Sequence, residues 1–419
     1  MSGGDTVRPF RRSGPAPTPD RAVRQESLRS HNLALVFRRV VAAGSRPISR
    51  AELAASTGLT RATVSRLVEQ LLAGRLLTEV DRAQRAPTGR PPVGLTLSRR
   101  GPAGLGLDVK GDYLVACVVD LTGAVRHLAF RPGPWAGRAP REVVAELATM
   151  AGAAGEAAAA EGLTVMGSTV AVPGPVDDRR VVRMAVHLGW RDVDLVELFA
   201  RAHPRGALPV AVDNEANLGA LGEMHSANGA LSDFLYVSGE FGIGAGIVLD
   251  GRVMRGARGW SGELGHMTVY PDGLPCPCGA RGCLECYAGL SAILGAVGVG
   301  TDPAGSASAA TIAAAADAGS PAVRQALDAA GTALGIAVGS LVNVLDVETV
   351  LLGGSYAVLA SWLLEPLQAQ LRVRVVSNRW SPVQVRPSLL GPEAPAIGAA
   401  LTAVAEVRHD PHRWLAGLI

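Results

Sequence analysis

The sequence predicts an α+β multidomain chain: an N-terminal winged helix-turn-helix joined to a two-lobed α/β body. Three observations predict it. Between residues 49 and 71 a capped short helix, a glycine turn and a second capped helix follow one another, with two short strands beyond them. From about residue 104 onward, strand-like runs alternate with Ala-rich helical stretches, the pattern of an α/β body with a cleft. The charge is unevenly divided. Residues 1–100 carry 18 Arg against 7 Asp plus Glu, a net +11, while the rest is net −8 in a chain of 419 residues and total charge +3. A basic head on an acidic body suits a nucleic-acid-binding module attached to something else.

Residues 1–25 are rich in Pro, Arg, Gly and Ser, show no period and read as a disordered basic tail. Residues 26–98 read as the DNA-binding domain. Leu33, Val36, Phe37, Val40 and Val41 share one face of a first helix. Ser49-Arg50-Ala51-Glu52 has capping-box spacing and opens a second helix, and Gly58 permits a sharp turn. Thr60 then caps a third helix whose Val64, Leu67, Val68 and Leu71 face inward. Arg61, Ala62, Thr63, Ser65 and Arg66 are left at its outward N-terminal end, the part that enters a major groove in helix-turn-helix proteins. Thr60, Arg61, Thr63, Ser65 and Arg66 are therefore the candidate DNA contacts. Leu76–Val80 and Val93–Leu97 read as the strands of a wing. Its loop holds Arg90 between Gly89 and Pro91, which suits either insertion into a narrow minor groove or a stiff linker.

Residues 99–419 form the body, with a smaller lobe over about 104–215 plus a C-terminal helix and a larger lobe over about 216–395. Leu105–Val109 and Tyr113–Val119 read as strands around a turn at Gly111, followed by helix near 141–160. Val165–Val172 is a strand, and Val210–Asn217 passes from strand to helix. Phe234–Ser238 and Ile243–Leu249 form a hairpin about Gly239. The longest uncharged run, Ala329–Leu345, is too short for a membrane span and reads as a buried helix. With no secretory leader evident, a cytoplasmic protein is expected.

Cys276, Cys278 and Cys283 follow His266 closely, so that three thiols and one imidazole fall within 18 residues. That set fills a tetrahedral structural zinc site of the Cys₃His type. Only Cys117 and Cys286 lie outside it, which argues for metal over a disulfide framework.

One ordered set of segments is more specific still. Gly242-Ile243-Gly244-Ala245-Gly246-Ile247 is followed by Arg255-Gly256-Ala257, by Gly262-Glu263-Leu264-Gly265-His266 and by the cysteine loop ending Gly282-Cys283-Leu284-Glu285. With these segments the chain resembles the ROK family (repressors, open reading frames and sugar kinases), in its transcriptional-repressor branch. The resemblance implies a ribonuclease-H-like, actin-like fold, assembly as a homodimer or homotetramer, and a sugar site at Asn214, Glu215, Glu263, His266 and Glu285. Carboxylates, an amide and an imidazole suit sugar hydroxyls, which both donate and accept. His266 would hold zinc with one ring nitrogen and meet a hydroxyl with the other. His187-Leu188-Gly189-Trp190 matches a further segment less well, because the family usually has Asn where His187 stands, and Trp190 fits core packing equally.

The departures from the kinase members are specific. Their Asp-x-Gly-Gly-Thr turn is replaced by Asp108-Val109-Lys110-Gly111-Asp112, with the chain's only lysine in place of a glycine and a carboxylate in place of the threonine. A second Gly-Thr-Gly loop becomes Glu240-Phe241-Gly242, and Gly353-Gly354-Ser355 lacks a third glycine. The kinase base is an Asp after Asn. Here Glu215 stands there, and a carboxylate displaced by about 1 Å costs roughly 10²-fold. These changes predict a non-enzymatic protein; with the helix-turn-helix head and the sugar site the resemblance implies, it is expected to be a regulator that binds an inverted-repeat operator in double-stranded DNA and responds to a sugar or sugar phosphate. The alternatives are a sugar kinase with an appended DNA-binding domain, and a constitutive DNA-binding protein whose body only dimerises.

Overall fold

A computed structural model describes residues 25–81, 93–202, 209–227, 229–240, 242–298 and 309–417. The tail expected to be disordered lies outside these residues except for its last position, as do Arg90 in the wing loop and Phe241.

The head follows its local signals closely. Helix α1 (Gln25–Ala43) lays Leu33, Val36, Phe37 and Val40 into a core. Helix α2 (Arg50–Thr57) opens on the expected box: Ser49 Oγ accepts from the Glu52 amide at 3.2 Å, and Glu52 Oε2 accepts from the Ser49 amide at 2.7 Å. It ends at Gly58, whose φ of 72° lies in the left-handed region. Thr60 caps α3 (Arg61–Ala73), which buries Val64, Leu67, Val68 and Leu71. Strands β1 (Leu77–Asp81) and β2 (Val93–Leu97) pair antiparallel as the wing.

The first lobe contains β3 (Gly101–Val109), β4 (Tyr113–Asp120), β5 (Val125–Pro132), α4 (Pro140–Ala160) and β6 (Leu163–Val172). A two-stranded hairpin, β7 (Val181–Ala185) and β8 (Trp190–Asp194), leads to α5 (Leu195–Ala202) and β9 (Val210–Asn214). The sheet order is β5-β4-β3-β6-β9, with β3, β6 and β9 parallel. Helix α6 (Glu215–Ser226) runs from the end of β9 toward the second lobe. That lobe holds β10 (Phe234–Gly239), β11 (Ile243–Leu249), β12 (Arg252–Val253), α7 (Glu285–Ala288), α8 (Leu290–Ala296), α9 (Ala309–Asp317), α10 (Pro321–Leu345), β13 (Thr349–Gly354), α11 (Ser355–Arg374) and β14 (Gln384–Pro387). Its order is β12-β11-β10-β13-β14. Strand β5 and the β7–β8 hairpin are additions to the elements expected from the sequence.

Two closing helices tie the parts together. Helix α12 (Ala394–His409) packs on both α6 and the first sheet. Gly398 permits this approach, since a Cβ there would sit 1.8 Å from the Leu218 carbonyl oxygen. Helix α13 (Pro411–Ala416) reaches the head, where Trp414 Nε1 donates to the Gly74 carbonyl at 2.7 Å. Leu121, Val404, Val407 and Trp414 join α1–α3 and the wing in one apolar core. Helices α4 and α10 are long and apolar enough to cross a membrane by length and composition, but each buries an apolar face in the protein core. The run Ala329–Leu345 is the C-terminal part of α10, with Ala330, Ala333, Leu334, Ala337 and Val338 buried.

Candidate functional site

Asn214, Glu215, Glu263, His266 and Glu285 line a single cavity between the lobes. Lys110, Gly111 and Asp112 from the β3–β4 turn, Gly174 after β6, His187, and Glu240 and Gly242 from the β10–β11 turn complete it.

Asn214 sits where β9 becomes α6 and caps the helix, accepting from the Ala216 amide at 2.9 Å and the Asn217 amide at 3.3 Å. Its Nδ2 donates to the Gly174 carbonyl at 2.9 Å, so most of its bonding capacity goes into positioning the strand-to-helix turn. Arg255 bonds the preceding Asp213, which accounts for an arginine at the start of the Arg-Gly-Ala segment. The Gly262-Glu263-Leu264-Gly265-His266 segment needs its first glycine. Gly262 has φ 97°, and a Cβ there would meet the Ala245 carbonyl oxygen at 1.9 Å.

The sequence marks Lys110 only as a replaced glycine; the structure makes it a cavity residue. Its Nζ donates to Oε2 of Glu215 and lies 3.6 Å from Asp108 Oδ2. Its side chain is 6% exposed, and that of Glu215 9%. Burial works against the ammonium, but Asp108, Glu215 and Glu240 outweigh it and hold Lys110 charged. Burial pushes Asp108 and Glu240 up to about 7, only partly offset by Lys110. Glu240 Oε2 accepts from Ser355 Oγ at 3.0 Å, and its Oε1 is 2.6 Å from where a Cβ on Gly354 would stand. The Glu240 carboxyl therefore lies beside the N-terminus of α11, bonded to the hydroxyl of that helix's first residue.

On the opposite wall, Glu263 is pushed to about 7 by burial and by the neighbouring Glu285. Burial also raises Glu285, but a hydrogen bond from His187 and the charges of His187 and His266 leave it below the ordinary value. His187 Nε2 stands 3.7 Å from Glu285 Oε1, so this residue, a weak match in the sequence, faces the cavity. Trp190 is 2% exposed and gives its Nε1 proton to the Arg138 carbonyl, which places it in the core.

His266, Cys276, Cys278 and Cys283 bring one donor atom each to within 4.8 Å of one another. Cys276 Sγ is 3.8 Å from His266 Nδ1, and Cys278 Sγ is 3.8 Å from Cys283 Sγ. A tetrahedral zinc with Zn–S near 2.3 Å sets sulfurs about 3.8 Å apart, so the donor set fits that ion. His266 belongs to both the cluster and the cavity wall. Cys286 lies outside the cluster with its Sγ toward the Pro275 carbonyl at 3.6 Å, and Cys117 is buried in the first lobe.

In the head, Thr60, Arg61 and Arg66 are exposed at the start of α3, and Thr63 and Ser65 are half-buried. The Thr60 hydroxyl is engaged in the cap, 3.2 Å from the Thr63 amide and 2.9 Å from Thr63 Oγ1. Arg50 on α2 pairs with Glu79 on the wing at 2.8 Å, fixing the wing against the helices.

A helix-turn-helix head on two lobes that share a cleft defines a class of protein: an α/β body of the actin-like, ribonuclease-H-like fold carrying a helix-turn-helix module. Residues 104–406 match the ROK family and residues 39–81 match the IclR helix-turn-helix domain. The chain belongs to the ROK family. It is 30% identical to the xylose repressor of Bacillus subtilis (strain 168) over 358 residues, 84% of this chain and 90% of that protein. The crystal structure of a ROK family transcriptional regulator, a homologue of the E. coli Mlc protein, aligns with a TM-score of 0.74 at 25% identity, over 93% of this chain and 100% of that one. A ROK family glucokinase from Streptomyces griseus, solved with glucose and AMPPNP, aligns with a TM-score of 0.61 at 27% identity, over 72% of this chain and 98% of that one.

Proposed function

We propose that this protein is a sugar-responsive DNA-binding repressor of carbohydrate-utilisation genes. In this reading residues 26–98 bind DNA and residues 99–419 bind sugar and oligomerise. Two heads of a homodimer, or of a homotetramer built from dimers, engage an inverted-repeat operator. Arg61, Thr63, Ser65 and Arg66 contact the major groove and Arg90 the minor groove. A sugar enters the cleft among Asn214, Glu215, Glu263, His266 and Glu285, and its binding changes how the heads are presented. The protein acts in the cytoplasm, where its DNA is.

The observation that supports this reading is the pairing of Lys110 with Glu215 and of Glu240 with Ser355 in a cleft lined by Asn214, Glu215, Glu263, His266 and Glu285. Glu215 is the residue at the position of the kinase base, and Glu240 lies beside the α11 N-terminus. A carboxylate that is salt-bridged to a buried ammonium is a poor proton acceptor. A carboxyl beside that terminus, charged above about pH 7, opposes a polyphosphate there. Catalysis of phosphoryl transfer rests on positioning and charge stabilisation of the γ-phosphoryl group, and both are compromised here.

Zinc would be held by His266, Cys276, Cys278 and Cys283, and would supply rigidity to the loop rather than chemistry. Fixing one imidazole nitrogen of His266 orients the ring whose other nitrogen meets a sugar hydroxyl.

The test is a mobility-shift titration on DNA upstream of the protein's own gene, repeated with a panel of sugars. Specific binding altered by at least one sugar supports the reading. Binding that no sugar alters removes the effector half, and sugar-dependent ADP release from ATP returns the protein to the kinases.

A further inference from the structure

We infer that the sugar recognised in this cleft is uncharged, with a free hydroxyl directed at the Lys110–Glu215 pair, and that its phosphate ester at that hydroxyl is excluded. This rests on the sugar-binding reading above and narrows it to one class of effector.

The charge of the cavity carries the inference. Asp112, Glu215, Glu240, Glu263 and Glu285 line it against Lys110 and two histidines, His187 and His266, and no arginine is among the described residues lining it. Of the chain's 40 Lys plus Arg, 39 are arginine, so this absence is specific to the site. Arginine forks and free helix N-termini are the usual receivers of sugar phosphates. Lys110 does not replace them, because its ammonium is bound to Glu215 and stands 3.6 Å from Asp108.

The backbone adds to this. Two helices longer than ten residues, α6 and α11, start beside cavity residues: α6 follows Asn214 and α11 abuts Glu240. The Ala216 and Asn217 amides at the start of α6 donate to Asn214 Oδ1 at 2.9 and 3.3 Å. At the start of α11 the Ser355 hydroxyl donates to Glu240 Oε2 at 3.0 Å, so a carboxyl faces that helix end. A dianionic phosphate would meet like charge here. A hydroxyl meets the reverse situation, since it can donate to a carboxylate.

Calorimetric titration of the full-length protein with two matched pairs tests this: D-glucose against D-glucose 6-phosphate, and D-xylose against D-xylose 1-phosphate. The expected result is binding of at least one free sugar, with its phosphate at least about 100-fold weaker. In Glu240→Gln that ratio should fall about tenfold. Asp112→Asn, at the cavity rim, gives a second reading of the same charge effect if the first variant does not fold. Equal or tighter binding of the phosphate overturns the inference. A wild-type ratio retained in both variants overturns its assignment to this cluster. Binding of neither member of either pair overturns the sugar reading itself, and this inference falls with it.

Discussion

Glu240 Oε2 accepts a hydrogen bond from Ser355 Oγ at 3.0 Å, which lays a carboxylate from the β10–β11 turn over the first residue of α11. Lys110, bound to Glu215, lines the same cavity as Glu240.

Nucleotide is accordingly not expected to bind. Millimolar ATP or AMPPNP should leave the melting temperature unchanged and produce no ADP with any sugar. A stabilisation of about 2.7 kcal/mol, as expected for a ligand at 100 times its Kd, would contradict this.

The contribution of the buried carboxyls to stability should fall as pH rises through the acidic range. Asp108 is raised from 3.8 to about 7 and Glu240 from 4.5 to about 7, by burial first and despite Lys110. Between about pH 4 and pH 7 the native state therefore keeps protons that the unfolded chain has released, so their contribution declines as pH rises through that window and is level above it. The groups facing Glu240 are Lys110, Glu215, Asp112 and Ser355. Urea unfolding of the wild type and Glu240→Gln at pH 5 and pH 8 checks the sign: the variant should gain relative stability at the higher pH.

Metal analysis should find one zinc per chain, absent from Cys278→Ser. Because His266 serves both the cluster and the cavity wall, chelation should weaken sugar binding as well as lower the melting temperature. Sugar affinity that survives complete removal of zinc would separate the two sites.

On the DNA side, Arg61→Ala and Arg66→Ala should each weaken operator binding. Where the arginine holds a backbone phosphate, its removal should reduce the slope of log K against log salt by about 0.9. Thr60→Ala should act differently, removing the α3 cap at a cost of about 1 kcal/mol in folding stability. Fluorescence anisotropy over a salt series, with parallel denaturation curves, distinguishes the two effects.

The head is legible in the sequence because its determinants are local. Ser49 and Glu52 bond each other three residues apart, and Thr60 caps the helix it precedes. The cleft's wall residues are legible through motif order. The rest lies in long-range pairing. Lys110 and Glu215 are 105 positions apart, and Trp414 reaches Gly74 across 340. Strand β5 escapes a sequence reading because it is an edge strand whose residues are all at least partly exposed, so it shows no clear apolar alternation. Asn214 is legible as a polar residue at a strand-to-helix junction, but its commitment to Gly174 and to the α6 amides depends on where β6 ends.

A cleft that governs the DNA-binding head must in turn feel the DNA, because coupling between two binding sites is reciprocal. The direct measurement is sugar affinity by calorimetry for the free protein and for the protein saturated with its operator duplex. The two Kd values should differ by about 5- to 150-fold. Identical affinity in the two states, for a sugar shown to bind, would contradict that coupling.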